Sequence, residues 1–397
     1  MIDIVVTGLG AVSSAGIGAD CLWDAARTGL ACVSDRLPAE STAIRKTARV
    51  VSFDPNEFLP KTDLAALDRF SQFALVAAGE AMNEAGIAER ELAGSRTGVI
   101  FGSAMGGATT IETAYNGFLA EPRLRSDPLS VPRIMANAAA CHVAKRYRVM
   151  GPTMTLSTAC ASAAQAIGTA LALMRAGTID RAIVGGSEAM LTPGILRAWE
   201  ALRVLSPTLA RPFSRGRDGM LIGEGAGVLM LERAIDARAR GAAPLARLGG
   251  YGTSCDAGDL LRPDPVGAAL AISNALKDSG LAPSDIGYIN AHGTGTVHND
   301  VAEAAAIQSV FGDGAVASST KPIHGHTIGA AAALELIVTI CALRDDYAPP
   351  TINWLGQDPN CPIDPVPNVG RALKMHAAIS NSFAFGGINA CLVVSKA

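Results

Sequence analysis

Short apolar runs alternate along this chain with longer stretches of helical spacing. Runs at 4–8, 97–101, 153–156, 181–184 and 227–231 predict strands, and a second set follows at 288–290, 315–318, 377–380 and 390–394. Helical spacing falls between them at 70–85, 161–176, 266–279, 300–311 and 330–343. Strand alternating with helix predicts an α/β protein with covered sheets. Each half runs through a similar order, with a seam near 241–244, which predicts an internal duplication with units at 1–243 and 244–397.

Two stretches, 159–174 and 325–343, are apolar enough to suggest a membrane. The first contains Cys160, Ser162 and Gln165, the second His326 and Glu335. Both fall short of the ~20 clean apolar residues that a spanning helix needs, so buried helices are expected. The opening apolar residues are too few for a secretory leader and read as a strand. Composition adds little against this picture: 49% of residues are hydrophobic, 17% are charged and the net charge is −3. No basic field is present to hold nucleic acid. Arg211, Arg215 and Arg217 read as a solvated loop. The 8 cysteines include no Cys-x-x-Cys pair, which leaves reduced thiols in the cytoplasm as the expectation.

Several motifs are excluded. Gly8-Leu9-Gly10 lacks the third glycine of a dinucleotide fingerprint, since position 13 is Ser13, and reads as a tight turn at the end of a strand. Gly185-Gly186-Ser187-Glu188-Ala189 lacks the last glycine of a hydrolase elbow. His292 and His298 have no acidic or cysteine ligand at useful spacing, so no metal site is expected.

Four segments carry chemistry. In Thr158-Ala159-Cys160-Ala161-Ser162 an apolar strand runs into an Ala-rich helix, which places the Cys160 sulfur at a helix N-terminus, where a thiolate is favoured. Such a thiolate is a nucleophile, although free cysteines are more often simply buried. In His292-Gly293-Thr294-Gly295-Thr296 a strand ends in His, and two hydroxyls follow that can hold an extended polar chain. Lys321 precedes His324 and His326, and Glu335 sits on the apolar helix beyond. A buried Glu335 demands a partner, and Lys321 is the candidate. Spacing alone does not choose between His324 and His326. Lastly, Phe383-Ala384-Phe385-Gly386-Gly387 can offer a backbone N–H and a movable aromatic lid.

Taken in order, these segments resemble the β-ketoacyl-acyl-carrier-protein synthases of the elongating class II type, across essentially the whole chain. The resemblance implies a thiolase-like five-layered αβαβα fold of two similar halves. It implies that Cys160 takes an acyl chain from a phosphopantetheine thioester. His292 and His326 would hold the malonyl thioester and promote its decarboxylation, the Gly-His-x-x-Gly-Ala match choosing His326. Lys321, paired with Glu335, would order the site, and the N–H groups of Cys160 and Phe385 would form an oxyanion hole. Thr294 and Thr296, with Ser162 nearby, would bind the phosphopantetheine. Met105 and Trp199 would line the acyl pocket, where their bulk favours short or flat unsaturated chains. No permanently bound cofactor is implied. The implied partners are an acyl carrier protein and a second subunit, either a copy or a related synthase chain.

Two departures stand out. Ala384 replaces a usual glycine of the lid, which predicts a stiffer lid. A helix start near Lys61 that often carries several basic residues has only Lys61, with Arg69 further on, which suggests a dedicated carrier and a specialised pathway. Cys391 does not sit in the setting of the second cysteine of a thiolase. A thiolase acting on coenzyme A esters is one competing reading. A non-catalytic chain-length partner is the other, opposed by the retained Cys160, His292 and His326.

Overall fold

The computed structural model describes residues 2–35, 46–121, 125 and 127–397. Strands β1 (Ile4–Ser13), β2 (Thr97–Gly102), β3 (Thr153–Leu156), β4 (Arg181–Glu188) and β5 (Gly225–Arg233) form one half of the main sheet. Strands β6 (Ala246–Cys255), β7 (Ile286–Asn290), β8 (Ala317–Ser318), β9 (Ala377–Ala384) and β10 (Ile388–Ser395) form the other.

The first half lies in the order β3-β2-β4-β5-β1 and the second in the order β8-β7-β9-β10-β6. Each is the same permutation of its own strands. The pairing senses repeat as well: the first three strands of each row are parallel and the rest antiparallel. The halves meet edge to edge where β1 pairs with β6, at Val5↔Arg247 and Val6↔Ala246.

Helices supply the other layers. α1 (Ala19–Thr28), α2 (Arg69–Ala85), α3 (Ala108–Ala120), α4 (Ala138–Tyr147), α5 (Ser162–Arg175) and α6 (Pro193–Ala201) belong to the first half. α7 (Pro265–Ser279), α8 (Val297–Phe311) and α9 (Ala331–Asp345) belong to the second. α2 and α4 cover the outer face of the first row, and α7, with α8 against it, covers the outer face of the second. α5 and α9 pack on each other between the two rows, giving five layers, αβαβα.

The two membrane-like stretches become these central helices. From Ala331 to Leu343 every residue of α9 is buried, as an apolar surface on all sides requires. Among the described residues no helix is long and apolar enough to cross a membrane.

Gly8 and Gly10 correct one expectation. They lie inside β1, not in a turn at its end. A Cβ on Gly8 would stand 2.0 Å from the Ala81 carbonyl oxygen, and one on Gly10 1.9 Å from that of Ala77. These glycines let α2 approach the strand backbone. Arg217 corrects another: it is buried and ion-paired to Asp358, with Asp300 3.8 Å away.

Candidate active site

The chemistry gathers where the central helices begin. After β3 the chain makes a single 3-10 turn, Ala159–Ala161, and enters α5. Ala159 has φ +49°, a left-handed conformation that costs an alanine on the order of 1–3 kcal/mol. The sharp bend sets Cys160 at the mouth of α5 with its side chain buried. Gly102 makes room for it, since a Cβ there would lie 2.3 Å from the Ala163 nitrogen.

The second half repeats the device. After β8 the chain passes Lys321 and His326, makes a 3-10 turn at Ile328–Ala330 and enters α9. Ile328 stands where Ala159 stands, with φ +45°. Gly329 therefore occupies the place that Cys160 occupies in the first half.

His326 reaches across with Nε2 3.1 Å from the Cys160 sulfur. His292, at the end of β7, meets His326 edge to face with ring centres 5.2 Å apart. One ligand atom from each of Cys160, His292 and His326 lies within 4.8 Å of the others. The cavity over them holds about 70 Å³ and is walled by Thr294, Thr296, Phe383 and Phe385. Leu260, Leu261 and Arg262 stand at its rim.

The tautomers of both rings follow from their far nitrogens. The buried Lys321 ammonium has three protons and three acceptors: Glu335 Oε1, the His292 carbonyl oxygen, and His292 Nδ1 at 3.2 Å. His292 Nδ1 must therefore accept, which leaves the proton on Nε2. The Ile328 N–H likewise donates to His326 Nδ1 at 3.2 Å, so His326 also carries its proton on Nε2. Burial, and then the Lys321 charge, hold both imidazoles well below the usual 6.5, so both rest neutral. The site thus presents two neutral N–H donors beside one sulfur.

The sulfur differs from the expectation of a resting thiolate. Burial pushes the Cys160 thiol up to about 12, against the pull of Lys321 and of the N–H groups of Phe385 and Cys160. Loss of solvent outweighs these pulls, so the thiol proton must leave during the reaction.

The remaining expected residues divide. Lys321 and Glu335 form the buried pair. Thr294 and Thr296 line the cavity with hydroxyls 2.9 Å apart. Trp199 lies outside the lining but stacks on Phe385, with ring centres 6.1 Å apart. His324 faces Thr320 at 2.9 Å, away from the cavity, and burial lowers it to about 3.

Three expectations are corrected. Ser162 is fully buried; its hydroxyl accepts from the Thr158 N–H and donates to the Ala159 carbonyl, so it braces the bend and is closed to a phosphopantetheine. Met105 is 41% exposed and lines a separate surface groove with Ile111, Tyr115 and Ile195, because its turn is pinned from beneath by Glu188. Ala384 ends β9 in register with Ile388 and is absent from the positive-φ positions, so it carries no strain. The left-handed residues of the lid are Gly386 and Gly387.

Two buried carboxylates escaped the sequence reading. Glu303, on α8, accepts the N–H groups of His292 and Gly293, each at 2.7 Å, and fixes the His292 loop. Glu188, at the end of β4, holds the turns beside Met105 and Gly329. An acidic residue on an Ala-rich helix pointed to Glu335, and the same signal was present for Glu303.

The family model "Beta-ketoacyl synthase, N-terminal domain" matches residues 1–237, and "Beta-ketoacyl synthase, C-terminal domain" matches residues 245–354. Nodulation protein E of Rhizobium leguminosarum bv. trifolii is 41% identical over 393 residues, 98% of each chain. A 3-oxoacyl-[acyl-carrier-protein] synthase 2 of Coxiella burnetii is 38% identical, over 99% of this chain and 98% of that one. A solved structure titled "The ishigamide ketosynthase/chain length factor" superposes with TM-score 0.96 at 34% identity, covering 100% of this chain and 99% of the other.

Proposed function

The chain belongs to the beta-ketoacyl synthase family and condenses an acyl thioester with malonyl-acyl carrier protein in fatty-acid or polyketide biosynthesis, and we propose that Cys160, His292 and His326 carry the reaction. The observation that supports this most is the 3.1 Å approach of His326 Nε2 to the Cys160 sulfur beside a second neutral imidazole.

Acyl transfer comes first. The sulfur–carbonyl bond of Cys160 forms, the carrier thioester bond breaks, and the thiol proton ends on the departing phosphopantetheine sulfur. The malonyl thioester then takes its place, with its carbonyl oxygen facing the two Nε2–H groups. Loss of carbon dioxide leaves the bonding electrons on an enolate, whose oxygen is held where charge develops. One such donor is commonly worth ~3 kcal/mol of barrier. The enolate carbon attacks the acyl-Cys160 carbonyl, the N–H groups of Cys160 and Phe385 hold the resulting oxyanion, and collapse releases a 3-oxoacyl thioester and the Cys160 thiolate, which takes up a proton from solvent to restore the thiol. Lys321 holds the His292 tautomer and transfers no proton. Thr294 and Thr296 bind the phosphopantetheine arm. Synthases of this family work on carrier-bound substrates without a permanent cofactor.

A specialised product, made with a dedicated carrier, is the finer reading. Likeness to a nodulation protein and to a ketosynthase/chain length factor structure supports it, as does the sparse basic charge near Lys61. The second subunit is a copy of this chain or a related synthase chain. Free cysteines throughout the described residues favour the reducing cytoplasm. The units of the chain are 1–243, bearing Cys160, and 244–397, bearing His292, Lys321 and His326.

Intact mass spectrometry after incubation with a panel of acyl-carrier thioesters tests the reading. One acyl group adds to the native chain and none to Cys160→Ala, with short or flat unsaturated chains loading fastest. Trp199→Ala broadens the range to longer chains by opening space behind Phe385. Failure of the native chain to load from any carrier thioester refutes the role of Cys160.

A further inference from the structure

Glu188 is fully buried, and among the described residues its four hydrogen-bond partners are all neutral. It accepts the N–H groups of Ala104 at 2.7 Å, Met105 at 3.1 Å and Gly329 at 3.2 Å, and the Ser103 hydroxyl lies at 3.3 Å. A desolvated carboxylate with no cation against it is costly to keep in a fold. The reaction described above gives it nothing to do directly.

Its place explains it. Gly329 follows Ile328, a β-branched residue at φ +45°, where L side chains are strained and persist only if their surroundings hold them. The Ile328 N–H is the group that donates to His326 Nδ1. The turn is wedged tightly against β4. A Cβ on Gly329 would lie 2.4 Å from Glu188 Oε2, and one on Gly186 would lie 2.7 Å from the Gly329 carbonyl oxygen. A continuous line therefore runs from the Glu188 carboxylate through the Gly329 N–H and the strained Ile328 to the ring nitrogen that sets the proton on His326.

We propose that Glu188 is a positioning residue for the malonyl half of the reaction, holding the Ile328 bend so that His326 keeps its Nε2 proton aimed into the site. This rests on the assignment of His326 to the malonyl thioester. Cys160 is held by a different bend, at Ala159, braced by Ser162. The two half-reactions therefore separate when Glu188 is changed.

Glu188→Gln keeps the shape but turns an amide NH2 toward N–H donors, which loosens the turn. In the full-length protein, acyl loading of Cys160 by mass spectrometry stays within about twofold of native. Release of carbon dioxide from malonyl-carrier falls at least tenfold, in kcat more than in KM. Gly329→Ala, which leaves the carboxylate in place and drives the turn away from it, gives the same split, and it decides the matter should Glu188→Gln fail to fold. Decarboxylation within twofold of native in the folded variant overturns the proposal. So does an equal fall in both half-reactions, which marks Glu188 as a general support of the core. Native protein that neither loads nor decarboxylates would instead refute the underlying assignment of the reaction.

Discussion

Each imidazole of the site is governed by the atom behind it. Lys321 donates to Nδ1 of His292 and the Ile328 N–H donates to Nδ1 of His326, so the reactive face of both rings is an N–H. Burial lowers both pKa values, and a group so lowered keeps its neutral form as pH falls past 6.5. An unperturbed imidazole would be about three-quarters protonated at pH 6. Nitrogen-15 spectra of histidine-labelled protein should therefore show His292 and His326 as Nε2–H tautomers from pH 8 to 5.5. A titration midpoint between pH 6 and 7 in either ring would refute the assignment. Sequence spacing brought these residues to notice, but it could not give their tautomers. Those depend on a backbone N–H and an ammonium whose positions the fold alone decides.

At the scale of elements, glycine is used mainly to bring backbones together. Gly8→Ala puts a methyl group into the Ala81 carbonyl with no rotamer to relieve it, so α2 must shift off β1. The expected loss is on the order of 1–3 kcal/mol in urea unfolding, with no change in the slope of the transition. A loss below 0.5 kcal/mol would mean the helix has room to spare. The same use of glycine hid β6 from the sequence pattern. Leu248-Gly249-Gly250-Tyr251-Gly252 lacks the alternation of a strand, yet Gly250 and Gly252 are small because α7 lies on them: a Cβ there would approach the Ala275 and Ala271 carbonyl oxygens at 2.4 and 2.2 Å. Helices were legible where helical spacing runs long, as in α2, α5, α7, α8 and α9. The 10-residue α1 and α4, and α3, whose apolar residues stay exposed, were not.

At the scale of the molecule, α3 packs on the short helix Ser130–Ile134, and together they leave a broad apolar face uncovered. Tyr115 is 65% exposed, Leu119 72% and Val131 62%, and Met105 lies nearby. A face of this kind marks an interface. Leu119→Glu is expected to shift the protein from dimer to monomer in sedimentation velocity. A native chain that sediments as a monomer at micromolar concentration would refute a self-association through this face. The doubled fold and the Cys160, His292 and His326 segments were legible because each rests on local runs of residues. Glu188 was not, because Gly329, which it holds, lies 141 positions away in the chain and only the closed fold brings them together.

The bend before each central helix is the same left-handed step, armed with a sulfur at Cys160 and bare at Gly329. The two steps share one frame and divide its uses. The first presents the sulfur, and the second, with no side chain at Gly329, lies close enough to β4 to steady the histidine that faces that sulfur.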